Sequence, residues 1–339
     1  MLTPDSTSCT HNRMQSLLPM LLVLAASIGA VAQSSDAKAV PRGVEEVQVP
    51  FRSLRPSATI KLGATADWVL ASDLAVWVGS GRPNAVQRID PATNRVVAKV
   101  KIGGEACSGL AFGFGSVWVP VCGKKAALVR IDASKNSIVA TIPVPPAGPE
   151  GGIATSADSV WMVTDKNGTL VRIDPTTNQT RQKISIPSGS FNPHFSEGVV
   201  WVTGVENNLL IAVDAATGEV VASIPVGPRP RFLTSGAGSV WTLNQGDGTV
   251  SRVDEKSKRV VATIEVGTPG TGGDVAFGND FIWTTVLNVP LTRINTATNA
   301  VVRQWVGPGG DSLAWGFGSL WLTDYRRGLV LRIPFEKAP

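Results

Sequence analysis

Gly113-Phe114-Gly115-Ser116-Val117-Trp118 is followed by Leu128-Val129-Arg130-Ile131-Asp132 and then by Val139-Ala140-Thr141-Ile142-Pro143-Val144. The first phrase returns as Gly236-Ala237-Gly238-Ser239-Val240-Trp241 and Gly316-Phe317-Gly318-Ser319-Leu320-Trp321, with looser copies ending in Trp77, Trp161, Trp201 and Trp283. The intervals between these Trp residues are 41, 43, 40, 40, 42 and 38. The second phrase recurs as Val86-Gln87-Arg88-Ile89-Asp90 and Leu170-Val171-Arg172-Ile173-Asp174, with related copies from Leu210, Val250, Leu291 and Leu329. A fixed period of roughly 40 residues marks a repeat architecture, in which each unit buries its apolar face against its neighbours.

Within a unit, four short runs rich in β-branched residues are separated by Gly, Asn, Asp or Pro, and no window sustains a helical period. That pattern predicts strands. Asn167-Gly168 and Asp247-Gly248 read as two-residue hairpin turns, whose central positions both need positive φ. Asp-Pro-x-Thr-Asn at 90–94 and 174–178 reads as a turn in which Pro fixes φ and Asn takes the left-handed position. Four antiparallel strands per unit predict an all-β fold, a seven-bladed β-propeller of four-stranded antiparallel blades. The seventh unit stops at Leu329-Val330-Leu331-Arg332-Ile333-Pro334 without the third phrase, and that phrase stands at the other end as Ser57-Ala58-Thr59-Ile60-Lys61-Leu62-Gly63. The N-terminal strand is therefore expected to complete the last blade, closing the ring and leaving no unpaired edge there.

The rest of the chain bounds the chemistry. Of 339 residues, 43% are hydrophobic and 17% charged, with 35 Gly and 23 Pro, which is a folded, turn-rich composition. Residues 17–32 are apolar and end in Ala30-Val31-Ala32, a small-x-small pattern; the run is shorter than the roughly 20 residues that span a bilayer. It reads as a signal peptide over 1–32, followed by a polar linker at 33–54 and a single propeller domain at 55–339. Export to the periplasm or beyond follows, with no membrane span after cleavage and a monomer as the expected state. Cleavage removes Cys9 and His11, leaving His194 as the one histidine and Cys107 and Cys122 as the one cysteine pair. In an oxidising compartment that pair reads as a disulfide, its members facing each other across a hairpin that turns near Gly113–Gly115. The net charge of +5 is a mild bias toward anionic partners, with no Lys/Arg block to form a phosphate-binding stripe.

These phrases resemble the YVTN-type repeats of the virginiamycin B lyase-like superfamily of seven-bladed propellers, over residues 57–334. The resemblance implies the fold. The lyases of that superfamily are metal-dependent and use His and Glu at the channel face. One mature histidine cannot supply a two-histidine arrangement, so no catalytic residue carries over.

Counting back from each Trp locates the channel mouth. Ten back stand Asp67, Ser108, Gly151, Phe191, Arg231, Gly273 and Asp311; nine back stand Trp68, Gly109, Gly152, Asn192, Phe232, Asp274 and Ser312. These columns do not repeat in type, as positions serving only blade packing should, and one-off polar residues around a shared concavity suit a ligand site. Asp67, Trp68, Ser108, Glu150, Asn192, His194, Arg229, Arg231, Asp274, Asp311 and Tyr325 are the candidate ligand-binding residues. The main expectation is binding of a small molecule, polysaccharide or protein partner at this loop face. The alternative is a C–O lyase running β-elimination there with His194, Tyr325 and Arg231 as base, acid and neutraliser of a substrate carboxylate. Polyanion or single-stranded DNA binding is the weaker alternative, since no aromatic stacking platform accompanies the charge. No cofactor is expected; Asp67, Asp274 and Asp311 are the acids around which a divalent cation would have to gather. Arg88, Arg130, Arg172, Arg252, Arg293 and Arg332 recur in the third strand, with Ala212 breaking the series; repetition marks them as blade architecture, neutralised by the neighbouring Asp turns.

Overall fold

The computed structural model describes residues 43–287 and 289–335. Residues 1–32, expected to be a signal peptide, and the first part of the expected linker lie outside the described residues. Within them the chain forms seven antiparallel sheets, one per repeat. Blade 3 shows the plan: Ile153–Thr155, Val160–Val163, Thr169–Asp174 and Gln179–Ser185 pair in sequence order. The second strand is buried throughout, whereas the fourth alternates toward solvent, so the apolar content falls from the inside of the blade outward.

The Trp residues that set the period are Trp77, Trp118, Trp161, Trp201, Trp241, Trp283 and Trp321, and all are fully buried. A buried indole N–H needs an acceptor. Trp118, Trp241, Trp283 and Trp321 donate to the carbonyl of the glycine five residues earlier, at 3.0–3.1 Å. In blade 3 the hydroxyl of Ser156 takes that part at 3.0 Å. Trp77 and Trp201 have Ser72 and Ser196 at that position, and their N–H groups are buried without a partner.

The ring closes as the sequence implies. Ala58–Lys61 lies antiparallel to Leu329–Pro334, pairing Ala58 with Arg332, Thr59 with Leu331, Ile60 with Val330 and Lys61 with Leu329. The segment read as a linker does more than connect. Gln48–Pro50 adds a fifth strand, parallel to Ala300–Val306 at the outer edge of blade 6. The buried Gln304 accepts a hydrogen bond from Val44 N–H at 2.7 Å, and Leu54 is buried behind the strand. Edge pairing uses backbone groups alone, so the polar composition of 33–54 did not forbid it.

The repeating arginines lock blade to blade through hydrogen bonds, and the turn aspartates Asp90 and Asp132 act on Arg88 and Arg130 through charge without direct pairing. Each guanidinium lies over the Trp of its own blade, 4.7–5.8 Å from the ring centroid. All but that of Arg293 then reach forward to the turn of the next blade. Arg88 donates to Ala133 O and Asn136 Oδ1, Arg130 to Pro175 O and Asn178 Oδ1, and Arg252 to Thr296 O and Asn299 Oδ1. Arg172 donates to Ala216 O. Arg332 donates to Pro91 O and Asn94 Oδ1, so the same clasp carries blade 7 onto blade 1. The turn carboxylates of Asp90, Asp132, Asp174, Asp214 and Asp254 accept instead from N–H or hydroxyl groups of their own turns. Among these arginines only Arg172 forms an ion pair, with Asp158 at 2.8 Å.

Asn94 and Asn178 sit at φ 56° and 60°, in the left-handed region as expected. The Asn167-Gly168 and Asp247-Gly248 turns differ from expectation. Only Gly168 and Gly248 have positive φ, and Gly248 N–H closes on Asn244 O, so these loops are longer than two residues.

Candidate functional site

In an antiparallel blade the loops alternate between two faces. The approach to the first strand and the loop after the second strand share one face, which is the channel mouth. There a pocket of about 330 Å³ is lined by Asp67, Glu105, Pro149, Glu150, Asp311 and Tyr325, with the Cys107–Cys122 bridge in its wall. Asp67 and Asp311 stand just before the first strands of blades 1 and 7, Val69–Ala71 and Leu313–Gly316. Asp67 is fixed by its N–H to Gly79 O at 3.0 Å, and the Asp311 carbonyl accepts from Thr285 Oγ1. Glu150 is held at φ 64° with its N–H on Cys107 O, which ties the approach to blade 3 onto blade 2.

The disulfide is formed, with a Cα–Cα separation of 5.7 Å. Its members are not directly opposite, however. The inner strand of blade 2 breaks between Glu105–Ala106 and Ala111–Gly113, and the register slips there so that Glu105 faces Cys122. The slip brings Glu105 to the pocket, a lining residue the column counting did not find; the one local signal was its place two residues before Cys107.

Crowded carboxylates in a partly dehydrated site hold their protons. Burial, then the charges of Asp311, Glu150, Glu105 and Asp274, raises Asp67 from the ordinary 3.8 to about 8. Burial, then Glu150 and Asp274, raises Asp311 to about 7. Glu150 is also raised by burial, against the pull of Arg231. The Tyr325 phenol is raised by burial and by the nearby carboxylates, although the residue is 39% exposed.

Below the mouth lies a cavity of about 140 Å³ whose walls include Trp68, Asn192, His194, Phe232 and Asp274. Trp68 and Phe232 meet across the channel with ring centroids 5.9 Å apart, and Trp68 Nε1 is buried without a partner. Most polar candidates at this level are struts between blades. Asn192 Nδ2 donates to Glu150 O and to Arg231 O, joining blades 3, 4 and 5. Ser108 donates to Gly148 O, and Ser312 donates to Asp274 Oδ2 at 2.7 Å while accepting Val69 N–H. Burial raises Asp274 to about 6, partly offset by its bonds from Ser312, Val275 and Leu313. His194 Nε2 shares a hydrogen bond with Ser235 Oγ of blade 5 at 2.9 Å. Desolvation pulls this imidazole down to about 4, although the residue as a whole is only half-buried.

The three residues on which β-elimination would depend have different surroundings. Tyr325 lines the mouth and His194 the cavity below it. Arg231 lies over the Phe191 ring at 3.9 Å and donates to Pro149 O, beside Glu150. Arg229 is exposed, its backbone N–H held by Asn208 Oδ1. Among the described residues, no three His, Cys, Asp or Glu side chains converge closely enough to hold a metal ion.

No protein-family model and no curated protein sequence matches the chain. Among solved structures, the chain is similar to one titled "Streptogramin B lyase structure", at a TM-score of 0.71 and 16% identity, covering 82% of this chain and 97% of that one. At that identity the likeness concerns the fold: this chain is a seven-bladed β-propeller built like that of a streptogramin B lyase.

Proposed function

We propose that the chain is an exported binding protein whose channel mouth takes a ligand presenting a cationic or hydrogen-bond-donating group. One observation carries this reading: Asp67, Glu105, Glu150 and Asp311 surround a pocket of about 330 Å³. A positive group entering there would meet carboxylates that repel one another, and would relieve that repulsion. The same acids oppose a polyanion at this face. Export is supported by the disulfide between Cys107 and Cys122 and by the apolar N-terminal run. No helix among the described residues is long and apolar enough to cross a membrane.

Lyase chemistry is less well supported by the geometry. A general base and acid must reach one reacting centre. His194 faces Ser235 from a different cavity than Tyr325 occupies, and Arg231 is committed to Phe191 and Pro149.

The test is calorimetric titration of the purified protein with 1,5-diaminopentane at pH 6 and pH 8.5, beside Asp311→Asn. Binding should strengthen at the higher pH, as Asp311 and Asp67 ionise, and weaken in the variant. Absent binding, or binding that ignores both pH and the substitution, would refute the reading.

A further inference from the structure

The innermost strand of blade 2 comes in two pieces. Glu105–Ala106 pairs with Cys122 and Val121, and Ala111–Gly113 pairs with Trp118, Val117 and Ser116. Residues 107–110 between them leave the ladder. They bond to blade 3 instead. Cys107 O accepts from Glu150 N–H at 2.8 Å, Ser108 Oγ donates to Gly148 O at 3.3 Å, and Gly109 N–H donates to Gly151 O at 3.0 Å. The disulfide ties this excursion back to Ser116–Cys122, the second strand of its own blade.

Both cysteines line the mouth pocket, together with Asp67, Glu105, Glu150 and Asp311. Cys107 is 6% exposed, whereas Cys122 is half-buried and leads into the exposed Gly123-Lys124-Lys125. Glu105 lies directly opposite Cys122 in the strand pair, which sets a carboxylate beside that sulfur. No Lys or Arg lines the pocket. Lys124 and Lys125 follow Cys122 outside the lining, and Arg231 acts on Glu150 from over the Phe191 ring. A disulfide exchanges when a thiolate attacks one sulfur and the other leaves, so access chooses the sulfur attacked. A cleft lined by one sign of charge concentrates molecules of the other sign.

We propose that the mouth is a thiol–disulfide exchange site for a small aminothiol, whose ammonium lies among the carboxylates while its sulfur attacks Cys122. This rests on the cation-binding reading above and adds the reacting group. The aminothiol gives its thiol proton to solvent and attacks as the thiolate. The S–S bond of the bridge breaks as the new S–S bond to Cys122 forms. Cys107 leaves as a thiolate and takes a proton from solvent. One disulfide replaces another, so no outside oxidant or reductant is needed. The bonds from residues 107–109 to blade 3 hold the freed Cys107 near the mixed disulfide, where its attack recloses the bridge and releases the aminothiol.

The mature protein is incubated with 2-aminoethanethiol, 2-mercaptoethanol or mercaptoacetate at pH 8.5, above the values near which Asp67 and Asp311 ionise. Mass spectrometry after acid quenching follows the mixed disulfide. Each rate is divided by that of the same thiol on bis(2-hydroxyethyl) disulfide, which removes differences in thiol reactivity. By this measure 2-aminoethanethiol should exchange about tenfold or more faster than 2-mercaptoethanol, and mercaptoacetate slower than either. Peptide mapping should place the adduct on Cys122, and Glu105→Gln should cut the preference severalfold. Equal normalised rates, a preference for mercaptoacetate, no adduct on the native protein, an adduct on Cys107, or an unchanged preference in folded Glu105→Gln overturns the proposal. If Glu105→Gln does not fold, the three thiols on the wild type decide. Calorimetric binding of 1,5-diaminopentane without any charge preference in exchange overturns this proposal alone. Failure of the diamine to bind overturns the binding reading on which it rests.

Discussion

Asp67→Asn tests the electrostatics of the channel mouth. The folded protein holds the Asp67 proton up to about pH 8, against an ordinary value of 3.8, chiefly because the group is buried and then because Asp311, Glu150 and Glu105 lie near. A carboxyl raised on folding stabilises the native state fully only below its unfolded pKa. As pH rises from about 4 the unfolded chain releases its proton first, so stability falls until the folded group also ionises near pH 8. At about 1.4 kcal/mol for each pH unit, that gap bounds the loss at ~6 kcal/mol. Water reaches the open mouth and relaxes the site, so ~2–3 kcal/mol is the expected size. Asparagine mimics the protonated acid in shape and charge. The variant should therefore match the wild type near pH 4 and exceed it by ~2–3 kcal/mol at pH 9. Urea denaturation of both proteins at a series of pH values measures the difference, and taking the difference cancels every group the substitution leaves alone. A gap that stays constant with pH, or a variant that loses stability relative to wild type as pH rises, would refute the argument.

Other substitutions probe the channel wall, the clasp and the disulfide. His194 has a folded pKa of about 4 against an ordinary 6.5, so its contribution is present above about pH 6.5 and is lost as pH falls toward 4; His194→Gln should flatten that limb of the stability profile by ~1–3 kcal/mol. Arg332→Met removes the bonds to Pro91 O, Asn94 Oδ1 and Ser319 Oγ together with the contact over Trp321, and should lower stability by ~2–4 kcal/mol. Arg293→Met, which severs no turn clasp, should cost ~1 kcal/mol or less in the same denaturation assay, and equal losses in the two variants would show that the clasp contributes nothing. Replacing Cys107 and Cys122 with serine opens a loop closed over 15 residues and should cost ~3 kcal/mol; a wild-type midpoint indifferent to reductant would contradict this.

The sequence revealed what is local to a repeat and hid what passes between repeats. The strand pattern, the left-handed Asn94 and Asn178 and the pairing of Thr59 with Leu331 depend on period and turn chemistry, which neighbouring residues display. The register slip between Ala106 and Ala111 was hidden, because it depends on how the interrupted inner strand of blade 2 meets its neighbour. So was the fifth strand at Gln48–Pro50, although Val47 and Val49 alternate with polar residues as an edge strand does. The channel columns left the meaning of their odd residues ambiguous. Facing a ligand and reaching a neighbouring blade both make a residue depart from its column, and the two look alike in one dimension. Asn192 is the clear case: it crosses to Glu150 O and Arg231 O only because blade 3 has Gly152 where a Cβ would lie 2.6 Å from Asn192 Oδ1. Its oddity is complementary packing.

What separates a strut from a site is whether the polar groups involved find partners inside the molecule. Asn192, Ser108 and Ser312 have theirs. At the blade 4–5 junction Glu255 Oε1 and Trp201 Nε1 do not. Blade 4 has Ala212 in the arginine position, and Val199 in place of the serine that holds the arginine Nε in blades 2, 3, 5 and 7. Loss of the serine does not by itself explain Ala212. In blade 1 the corresponding residue is Ala75, Arg88 Nε is left buried and unpaired, and the guanidinium still clasps Ala133 and Asn136. Arg293 likewise persists beside Phe281 with its Nε unpaired. An arginine thus remains in this position without its serine, and in blade 6 without a turn to hold. Blade 4 lacks it where blade 5 carries Lys258 in the turn position that Asn94, Asn136, Asn178 and Asn299 fill elsewhere, so the Asn that would accept a guanidinium is itself replaced by a cation. That paired exchange distinguishes this junction from the other six.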